Sequence, residues 1–406
     1  MITVLNDIML KNFIIVFSIS FIISCNTSST TLDKVLNKNI YELQKVLKNK
    51  EKHELQILLT QIKRDDSGKA VFKENTFQLD EGRYFYPAST AKLPIAILSL
   101  QKLNELRLNG LQISGDTPFF ITDKNGKILV KRDSTHLQGI LTINHLIKKV
   151  FLDSDDNAYN YLFDFLGTDY INKELIQRGL SKTRLYHKFL FGSDNINTWG
   201  YTFLSENQKI IYHQPSISAL VDLKPNNLEG KLKGIGHIKS KKLVFEPMNF
   251  ERKNRISIRN LEGILKRIIF PEAFTEKELF NLTKADYKFL RYWMSRTTLE
   301  SNYPNYNDGK HWDSYCKFFI YGDKKGAMIP EIRIFNKVGQ AYGTVTDVAY
   351  IKDEKNKIEF LLTATILVNE NMIYNDDIYE YDEIGIPFLA ALGRGVHEEI
   401  IKSTFD

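Results

Sequence analysis

Three serines of this sequence stand three positions before a lysine, a spacing that suits nucleophilic catalysis. The pairs are Ser89 with Lys92, Ser99 with Lys102, and Ser314 with Lys317. At the start of a helix, such a serine and lysine lie one turn apart on the same face. A lysine amine that is desolvated and near other cations can lose its proton and then accept that of the serine hydroxyl. Each pair is therefore a candidate nucleophile with its base.

Only the first pair opens a predicted helix, which runs from Ser89 through "STAKLPIAILSLQKLNEL". Pro94 falls near the end of the first turn, where a missing N–H is tolerated. Ser99 lies inside the helix, where its hydroxyl can bond a backbone carbonyl, and Ser314 lies in an aromatic, strand-like run. An N-cap role is the alternative for Ser89, but the usual partner three residues on is Glu or Gln, not Lys. We predict that Ser89 and Lys92 are the reactive pair.

Two serine–aspartate stretches could supply a second catalytic hydroxyl. Ser154-Asp155-Asp156 stands between two predicted amphipathic helices, the first capped by Thr142 and the second closed by Gly167. The spacing also lets Asn160 turn inward. The stretch Ser193-Asp194-Asn195 lies in a loop by composition, where Asp and Asn commonly build Asx-turns. We therefore predict Ser154 as the second hydroxyl.

A third group lies in "FNKVGQAYGTVTDVAYI", where Lys337 precedes Gly339 on a predicted strand and Gly343 turns into the next. Gly339 would let a substrate backbone approach closely, and Lys337 would supply a fixed positive charge. Seen alone, this stretch would be a surface hairpin with an ordinary lysine. Its position after the two serine stretches favours a role in the site.

The elements that must position these residues follow from hydrophobic periodicity and turn residues. We predict a helix over 32–50, a hairpin around the turn at 65–68, and the helices already described. Three consecutive strands follow within 331–369, with turns at 339–343 and 353–356, and a last helix within 382–403. This order predicts an α/β sandwich with one antiparallel sheet.

Composition supports a globular protein and excludes several classes. The 406 residues are 43% hydrophobic and 26% charged, enough for a substantial core. The net charge of +6 is spread along the chain without basic blocks, so we expect no nucleic-acid partner. The eight histidines lack metal-ligand spacing, so we expect no metal.

The N-terminus predicts a membrane-anchored envelope protein. Lys11 precedes an apolar run from Phe13 to Ile23, which is too short to span a bilayer comfortably and is typical of a signal peptide. Ile22-Ile23-Ser24-Cys25 resembles a bacterial lipobox, in which the cysteine is lipidated, and Met9 is an alternative start. A buried N-terminal strand or helix is the alternative, but a polar tether follows at once. We expect the mature protein to face the periplasm or the cell surface.

The sequence has two cysteines, and only Cys316 remains besides the predicted lipidation site Cys25. No internal disulfide framework can therefore form. Its aromatic surroundings predict a small buried hydrophobe. A nucleophilic role is the alternative.

Taken in order, the three stretches resemble the signatures of the class A β-lactamases and penicillin-binding proteins. The matching residues are Ser89-Thr90-Ala91-Lys92, Ser154-Asp155-Asp156 with Ala158 and Asn160, and Lys337-Val338-Gly339 with Tyr342-Gly343 and Asp347. Together they are specific where each alone is not. The resemblance is to a β-lactamase-related lipoprotein of the kind found in Bacteroidetes. It implies an antiparallel sheet flanked by helices, with an all-helical lobe.

The resemblance also implies a serine hydrolase that works through an acyl-enzyme and needs no cofactor. Ser89 would be the acylated nucleophile and Lys92 its base, while Ser154 would relay the proton to the leaving nitrogen. Lys337 would hold a substrate carboxylate and keep the pKa of Lys92 low. The backbone N–H groups of Ser89 and Gln340 would form the oxyanion hole.

Two departures from the family pattern concern substrate binding. Asp156 stands where the family usually has Asn, so an amide that donates to the substrate carbonyl is replaced by an acid that, when ionised, only accepts. Val338 stands where a Thr or Ser hydroxyl normally helps to hold the carboxylate of the antibiotic. Lys337 must then do more of this work.

A third departure concerns deacylation. Phe189 stands where the omega-loop Glu of class A enzymes activates the hydrolytic water, and no Glu occurs between Leu175 and Ser205. His187 could substitute, although a partly exposed loop histidine is the simpler interpretation. We therefore expect slow hydrolysis of a β-lactam acyl-enzyme.

These predictions divide the chain into a signal peptide at 1–24, a lipidated tether with the first helix at 25–53, and a catalytic domain at 54–406. The long interval between Ser154 and Lys337 indicates an enlarged insertion at about 195–330, because an unstructured loop of that length is not expected in a compact domain. We interpret it as an insertion or extended helical lobe that borders the cleft and could set substrate choice.

Two functions are compatible with this sequence. The first is a serine hydrolase acting on an amide or ester, with a β-lactam or a cell-wall, peptidoglycan-like peptide as its substrate. The second is a non-catalytic envelope lipoprotein that keeps the fold and binds cell-wall or glycan fragments. The altered Asp156, Val338 and Phe189 favour the second, and the retained serines and lysines favour the first.

Overall fold

The computed structural model describes residues 29–189, 192 and 194–405. The predicted signal peptide and the lipidation site Cys25 lie outside these residues, as does Ser193. Predictions about them therefore stay predictions.

The helices and strands of the described chain have the following bounds. The helices are α1 (Thr31–Leu36), α2 (Tyr41–Leu47), α3 (Lys92–Leu108), α4 (Ile143–Leu152), α5 (Asp156–Leu166), α6 (Thr168–Gln177), α7 (Ile258–Ile269), α8 (Lys284–Ser295) and α9 (Ile386–Phe405). The strands are β1 (Gln56–Arg64), β2 (Ala70–Phe77), β3 (Phe119–Thr122), β4 (Ile128–Val130), β5 (Thr183–Arg184), β6 (Gly200–Leu204), β7 (Ile210–Gln214), β8 (Leu232–Lys233), β9 (Gly236–Lys239), β10 (Lys242–Val244), β11 (Met248–Asn249), β12 (Arg255–Ile256), β13 (Ile332–Ala341), β14 (Thr344–Asp353), β15 (Ile358–Leu367) and β16 (Ile373–Tyr374).

The central sheet is antiparallel and has the strand order β13-β14-β15-β1-β2. The predicted hairpin supplies β1 and β2, and the three predicted consecutive strands supply the rest. Strand β13 forms one edge, so some of its backbone N–H and C=O groups are free of the sheet ladder. Lys337, Gly339 and Gln340 all lie on this edge strand.

Helices cover both faces of the sheet. On β14, Val345 and Ala349 pack into a core shared with α1 and α9, whereas Val348 and Tyr350 pack into a core shared with α3 and α7. This alternation follows from the two-residue repeat of a strand and explains why nearly every residue of β14 is buried. The predicted α/β sandwich is confirmed.

A lobe beside the sandwich contains α3 to α6 and α8, with contacts of α3 and α4 to α5 and of α4 to α8. The lobe also carries a small antiparallel sheet of order β4-β3-β6-β7, which the sequence analysis did not predict. Its strands are held to the helices by aromatic packing, with the ring centroids of Phe165 and Tyr201 5.5 Å apart. The lobe is therefore helical with an added sheet.

The single helix predicted over 32–50 is wrong, because the chain forms α1 and α2 with a break at 37–40. The side chain of Gln44 stabilises the break by donating hydrogen bonds to the carbonyls of Leu36 and Lys38. Both short helices pack on α9. The turn predicted at 339–343 is also shorter than expected, since β13 continues through Ala341 and only Tyr342 and Gly343 form the turn.

Among the described helices, none combines the length and the apolar character needed to cross a membrane.

Candidate active site

Ser89 lies in a 3₁₀ turn, Ala88–Ala91, that leads directly into α3. Ala88 adopts a left-handed conformation with φ of 46°, which is unusual for a residue with a Cβ and commonly accompanies functional sites. The side chain of Thr90 holds the turn by donating to the Pro87 carbonyl at 2.6 Å. Ser89 is partly exposed and lines a cavity of about 850 Å³. Its hydroxyl makes no hydrogen bond with the residues that the structure describes.

Lys92 is the first residue of α3 and is fully buried. Its Nζ donates to the carbonyl oxygen of Ser154, to Ser154 Oγ at 3.3 Å, and to Asp156 Oδ1 at 2.6 Å. Burial lowers the pKa of Lys92 below its ordinary value, while the Asp156 carboxylate works in the opposite direction. Lys92 is therefore desolvated as a base should be, yet it is paired with an acid.

Ser154 joins the two site lysines. Its hydroxyl lies 2.8 Å from Lys337 Nζ and 3.3 Å from Lys92 Nζ. The residue has φ of 58°, a left-handed conformation that is uncommon outside glycine, and Asp155 caps α5 immediately afterwards by accepting from Ala158 N at 2.7 Å. A hydroxyl held between two amines can pass a proton from one side to the other.

Lys337 lies on the edge strand β13 and is buried. Its Nζ donates to the Val338 carbonyl at 2.9 Å as well as to Ser154. Burial, reinforced by the nearby Lys92 ammonium, lowers the pKa of Lys337 to about 7. The charge of this amine therefore changes close to neutral pH.

Binding of a carboxylate ligand should consequently depend on pH. Lys337 is cationic below about pH 7 and loses its charge above it, so affinity should fall as pH rises through this value, by about tenfold between pH 6 and pH 9. The measurement is the dissociation constant of benzylpenicillin for Ser89→Ala protein across this range. A Lys337→Met variant should show no such fall, and a wild-type affinity independent of pH would contradict the prediction.

Gly339 brings β13 against the 3₁₀ turn. A Cβ built on it would lie 2.6 Å from the Pro87 carbonyl oxygen and 2.9 Å from Thr90 N, distances that real Cβ atoms essentially never show, and 3.0 Å from Ser89 N. A glycine is thus needed here because the turn that carries Ser89 packs directly against β13. The sequence predicted a different reason, the close approach of a substrate backbone. The contact places Gln340, which is exposed and lines the cavity, close to Ser89.

Phe189 stands at the position where the family resemblance would place a deacylating Glu. Asn160 turns inward as predicted, and its Oδ1 accepts from Phe189 N at 2.8 Å. The Phe189 ring stacks on Tyr159 with centroids 4.4 Å apart and lies 5.3 Å from Lys92 Nζ. An apolar ring therefore faces the amine where a carboxylate would be needed to activate water.

His187 is poorly suited to replace that carboxylate. Its Nδ1 lies 2.7 Å from the Lys188 carbonyl, which fixes the proton on Nδ1, and its Nε2 accepts from Asn254 N at 3.4 Å. Burial lowers the pKa of His187 to about 4. The ring lines the cavity as a neutral, weakly basic group.

The other serine–lysine pairs have structural roles. Ser99 Oγ bonds the Ile95 carbonyl at 2.8 Å, as predicted for a helix interior. Ser314 lies in a turn and not in a strand-like run. Its Oγ donates a hydrogen bond to the Lys324 carbonyl at 2.5 Å. Cys316 is 9% exposed and packs in the core, which confirms a small buried hydrophobe. Asp194 accepts from the backbone N–H groups of Ile196 and Asn197, as expected of an Asx-turn.

One residue beside the site escaped the sequence analysis. His311 bridges two carboxylates, with Nε2 3.0 Å from Asp153 Oδ1 and Nδ1 2.9 Å from Asp308 Oδ1. Asp153 directly precedes Ser154, so this bridge ties the serine loop to the chain around 308. No local sequence signal reveals the bridge, because one of its two carboxylates, that of Asp153, is far from His311 in the chain.

The His311 bridge should stabilise the protein in a pH-dependent way. Burial opposes charge on the ring, but the hydrogen bonds that the ring donates to Asp308 and Asp153 raise the pKa of His311 above its ordinary value. The contribution is therefore complete below about pH 6.5 and is lost as pH rises through the raised pKa. His311→Gln should lower the free energy of unfolding by about 1 kcal/mol at pH 5.5, and less at pH 8.5. Urea unfolding at both pH values measures this, and an equal loss at both would contradict it.

One comparison with known proteins, the match to a family model, shows the family of this chain. A search of curated proteins finds no significant match. Similar solved structures include a β-lactamase from Xanthomonas campestris, which is 14% identical in sequence, with 92% of this chain and 99% of that chain covered and a TM-score of 0.49. A β-lactamase from Burkholderia phymatum is 12% identical, with 91% of this chain and 100% of that chain covered and a TM-score of 0.48. A class A β-lactamase from Mycobacterium abscessus is 15% identical, with 91% of this chain and 99% of that chain covered and a TM-score of 0.46. The family model described as the beta-lactamase enzyme family matches residues 41–377, and the chain belongs to this family.

Proposed function

We propose that this protein is a serine hydrolase in which Ser89 is acylated by an amide or ester substrate. The substrate class is a β-lactam or a peptidoglycan-like peptide. The observation that carries the proposal is the convergence of Lys92 and Lys337 on the Ser154 hydroxyl, beside a partly exposed Ser89 that lines a cavity. Family membership supports the same reaction class.

The proposed reaction assigns one task to each group. Neutral Lys92 takes the proton of Ser89 as Oγ attacks the substrate carbonyl, and the N–H groups of Ser89 and Gln340 stabilise the oxyanion. Ser154 then delivers a proton to the leaving nitrogen, receiving one from the adjacent amines. Lys337 in its charged form holds a substrate carboxylate. The acyl C–N or C–O bond breaks as the acyl-enzyme forms.

Water must then cleave the acyl-enzyme, and here the site is weak. Phe189 presents a ring where a base would stand, and His187 has a low pKa. We infer that β-lactam acyl-enzymes turn over slowly.

Labelling tests the proposal directly. Wild-type protein should react with a fluorescent penicillin or a fluorophosphonate serine probe, Ser89→Ala should not, and the matched control Ser99→Ala should react as the wild type does. A serine probe that labels the wild type no better than Ser89→Ala would contradict the acyl-enzyme proposal.

A second candidate function is favoured by one observation. The Lys92–Asp156 ion pair keeps the proposed base beside an acid, which favours a site that binds cell-wall or glycan fragments without turnover. Under this alternative, Ser89→Ala would bind such fragments as the wild type does, and no acyl adduct would form.

We also propose that the protein is anchored by a lipid on Cys25 and faces the periplasm or the cell surface. The support is the lipobox-like sequence alone. Cys25→Ser should move the protein from the membrane pellet to the soluble fraction, and unchanged fractionation would contradict the anchor.

A further inference from the structure

The cavity extends beyond the nucleophile along the edge strand. β13 passes Lys337, then Gly339 against the Ser89 turn, and ends at Ala341, immediately before the turn residue Tyr342. Because a strand rises about 3.3 Å per residue, Tyr342 lies roughly 16 Å along the chain direction from Lys337. Tyr342 and Lys253 line the cavity at this far end, together with Tyr86 and His187. A substrate held by Lys337 at one end would place its acyl side chain here.

Lys253 lies on the loop between β11 and β12 and is half-buried. The loop is fixed by the buried Asn254, whose Oδ1 accepts from Tyr186 N at 2.7 Å and whose Nδ2 donates to the His187 carbonyl at 3.1 Å. Lys253 Nζ lies 5.5 Å from the centre of the Tyr342 ring. It makes no ion pair with any carboxylate in the described part of the chain.

The other charged groups on this cavity have different surroundings. Lys188 pairs with the buried Asp164 at 2.8 Å, and the exposed Arg252 pairs with Asp222 at 3.3 Å. Asp156 pairs with Lys92. Asp377 is an exposed carboxylate on the wall that makes no ion pair with the described residues, Lys253 included. Lys253 is thus a cation on a fixed loop, with an aromatic neighbour and with no carboxylate partner among the described residues.

Tyr342 occupies a position that suits another residue better. It forms a two-residue turn with Gly343, with φ of 51° and 75°, a geometry for which Asn-Gly or Asp-Gly is preferred. Its ring packs edge-on against Tyr86 at 5.1 Å and Phe250 at 5.5 Å. An aromatic residue kept in a disfavoured conformation at a cavity wall points to a ligand contact.

We propose that Lys253 and Tyr342 form a subsite for a carboxylate carried beside a ring on the acyl side chain of the substrate. The ring would stack on the aromatic wall, and the carboxylate would accept a hydrogen bond from Lys253 Nζ. This inference rests on the proposed function and narrows its substrate class to acyl donors with an anionic side chain.

The test compares two penicillins that differ by one carboxylate, benzylpenicillin and its α-carboxy derivative carbenicillin. Dissociation constants are measured by calorimetry in Ser89→Ala protein, so that binding is read without acylation. Carbenicillin should bind about tenfold more tightly than benzylpenicillin. Adding Lys253→Met to Ser89→Ala should bring the ratio of the two dissociation constants close to one, whereas adding Lys253→Arg should largely keep it. Lys241 lies on the exposed β9–β10 turn, and adding Lys241→Met as a control should leave the ratio unchanged.

Equal affinities in the Ser89→Ala protein, or a preference that survives Lys253→Met, would overturn the subsite. Failure of both penicillins to bind at millimolar concentration would overturn it too. The proposed function is read separately, from adduct formation on Ser89 in protein with the serine intact. Acylation without a carboxylate preference would leave that function standing and remove the subsite.

Discussion

Lys92→Met should lower the second-order rate constant for acylation of Ser89 by about 10²- to 10⁴-fold. The reason is the position of the amine, which is buried, desolvated and in contact with Ser154, the other hydroxyl of the site. Methionine has a similar length but cannot take a proton. Asp156, which loses its partner in this variant, is 62% exposed and can be solvated, so we expect the fold to survive.

Lys102→Met is the matched control for this variant. Lys102 also follows a serine by three positions on α3, is largely buried, and donates to the Phe165 carbonyl away from the site. Stopped-flow kinetics with a chromogenic β-lactam give the acylation rate constant of the wild type, Lys92→Met and Lys102→Met. If Lys92→Met reacts within a few-fold of the wild type, Lys92 is not the base.

Asp156→Asn should raise the rate of acylation and of β-lactam turnover at neutral pH, by about tenfold. The Asp156 carboxylate lies 2.6 Å from Lys92 Nζ and counteracts the lowering of its pKa by burial. Its removal should increase the fraction of neutral amine, since one pKa unit changes that fraction about tenfold for a base that is mostly protonated. The new amide can also donate to a substrate carbonyl.

The pH–rate profile of acylation separates these two effects. A lower Lys92 pKa moves the rising limb of the profile to lower pH, whereas a new donor raises the rate at every pH. Asp155→Asn removes the same charge one residue away and keeps a side chain able to cap α5, so it should have a smaller effect. If β-lactam turnover does not rise in Asp156→Asn, the Asp156 carboxylate does not limit this reaction.

Local sequence patterns were sufficient for the elements that carry the site. The helix after Ser89, the caps of α4 and α5 at Thr142 and Gly167, and the three strands around Lys337 were all predicted. Each depends on residues close together in the chain, such as a capping threonine or alternation along a strand. The break between α1 and α2 was missed because its stabilising contact is made by a side chain, that of Gln44, to backbone carbonyls across the break.

The geometry of the site was less accessible to sequence reasoning. Asp156 was identified as an unusual residue, but its ion pair with Lys92 depends on packing of α5 against α3. The position of the Phe189 ring near Lys92 and the bridge of His311 to Asp153 likewise join distant segments. Lys253 carries no motif at all and stands out only because the fold leaves it on the cavity wall without a carboxylate partner in the described chain.

The central claim, an acyl-enzyme on Ser89, is tested most directly by intact-mass spectrometry over time. Wild-type protein mixed with benzylpenicillin should gain the mass of one penicilloyl group within minutes, with the adduct on the peptide that contains Ser89. The adduct should decay over hours, because the apolar ring of Phe189 lies beside Lys92 and cannot activate water. The absence of any adduct, or an equal adduct in Ser89→Ala, would contradict the account.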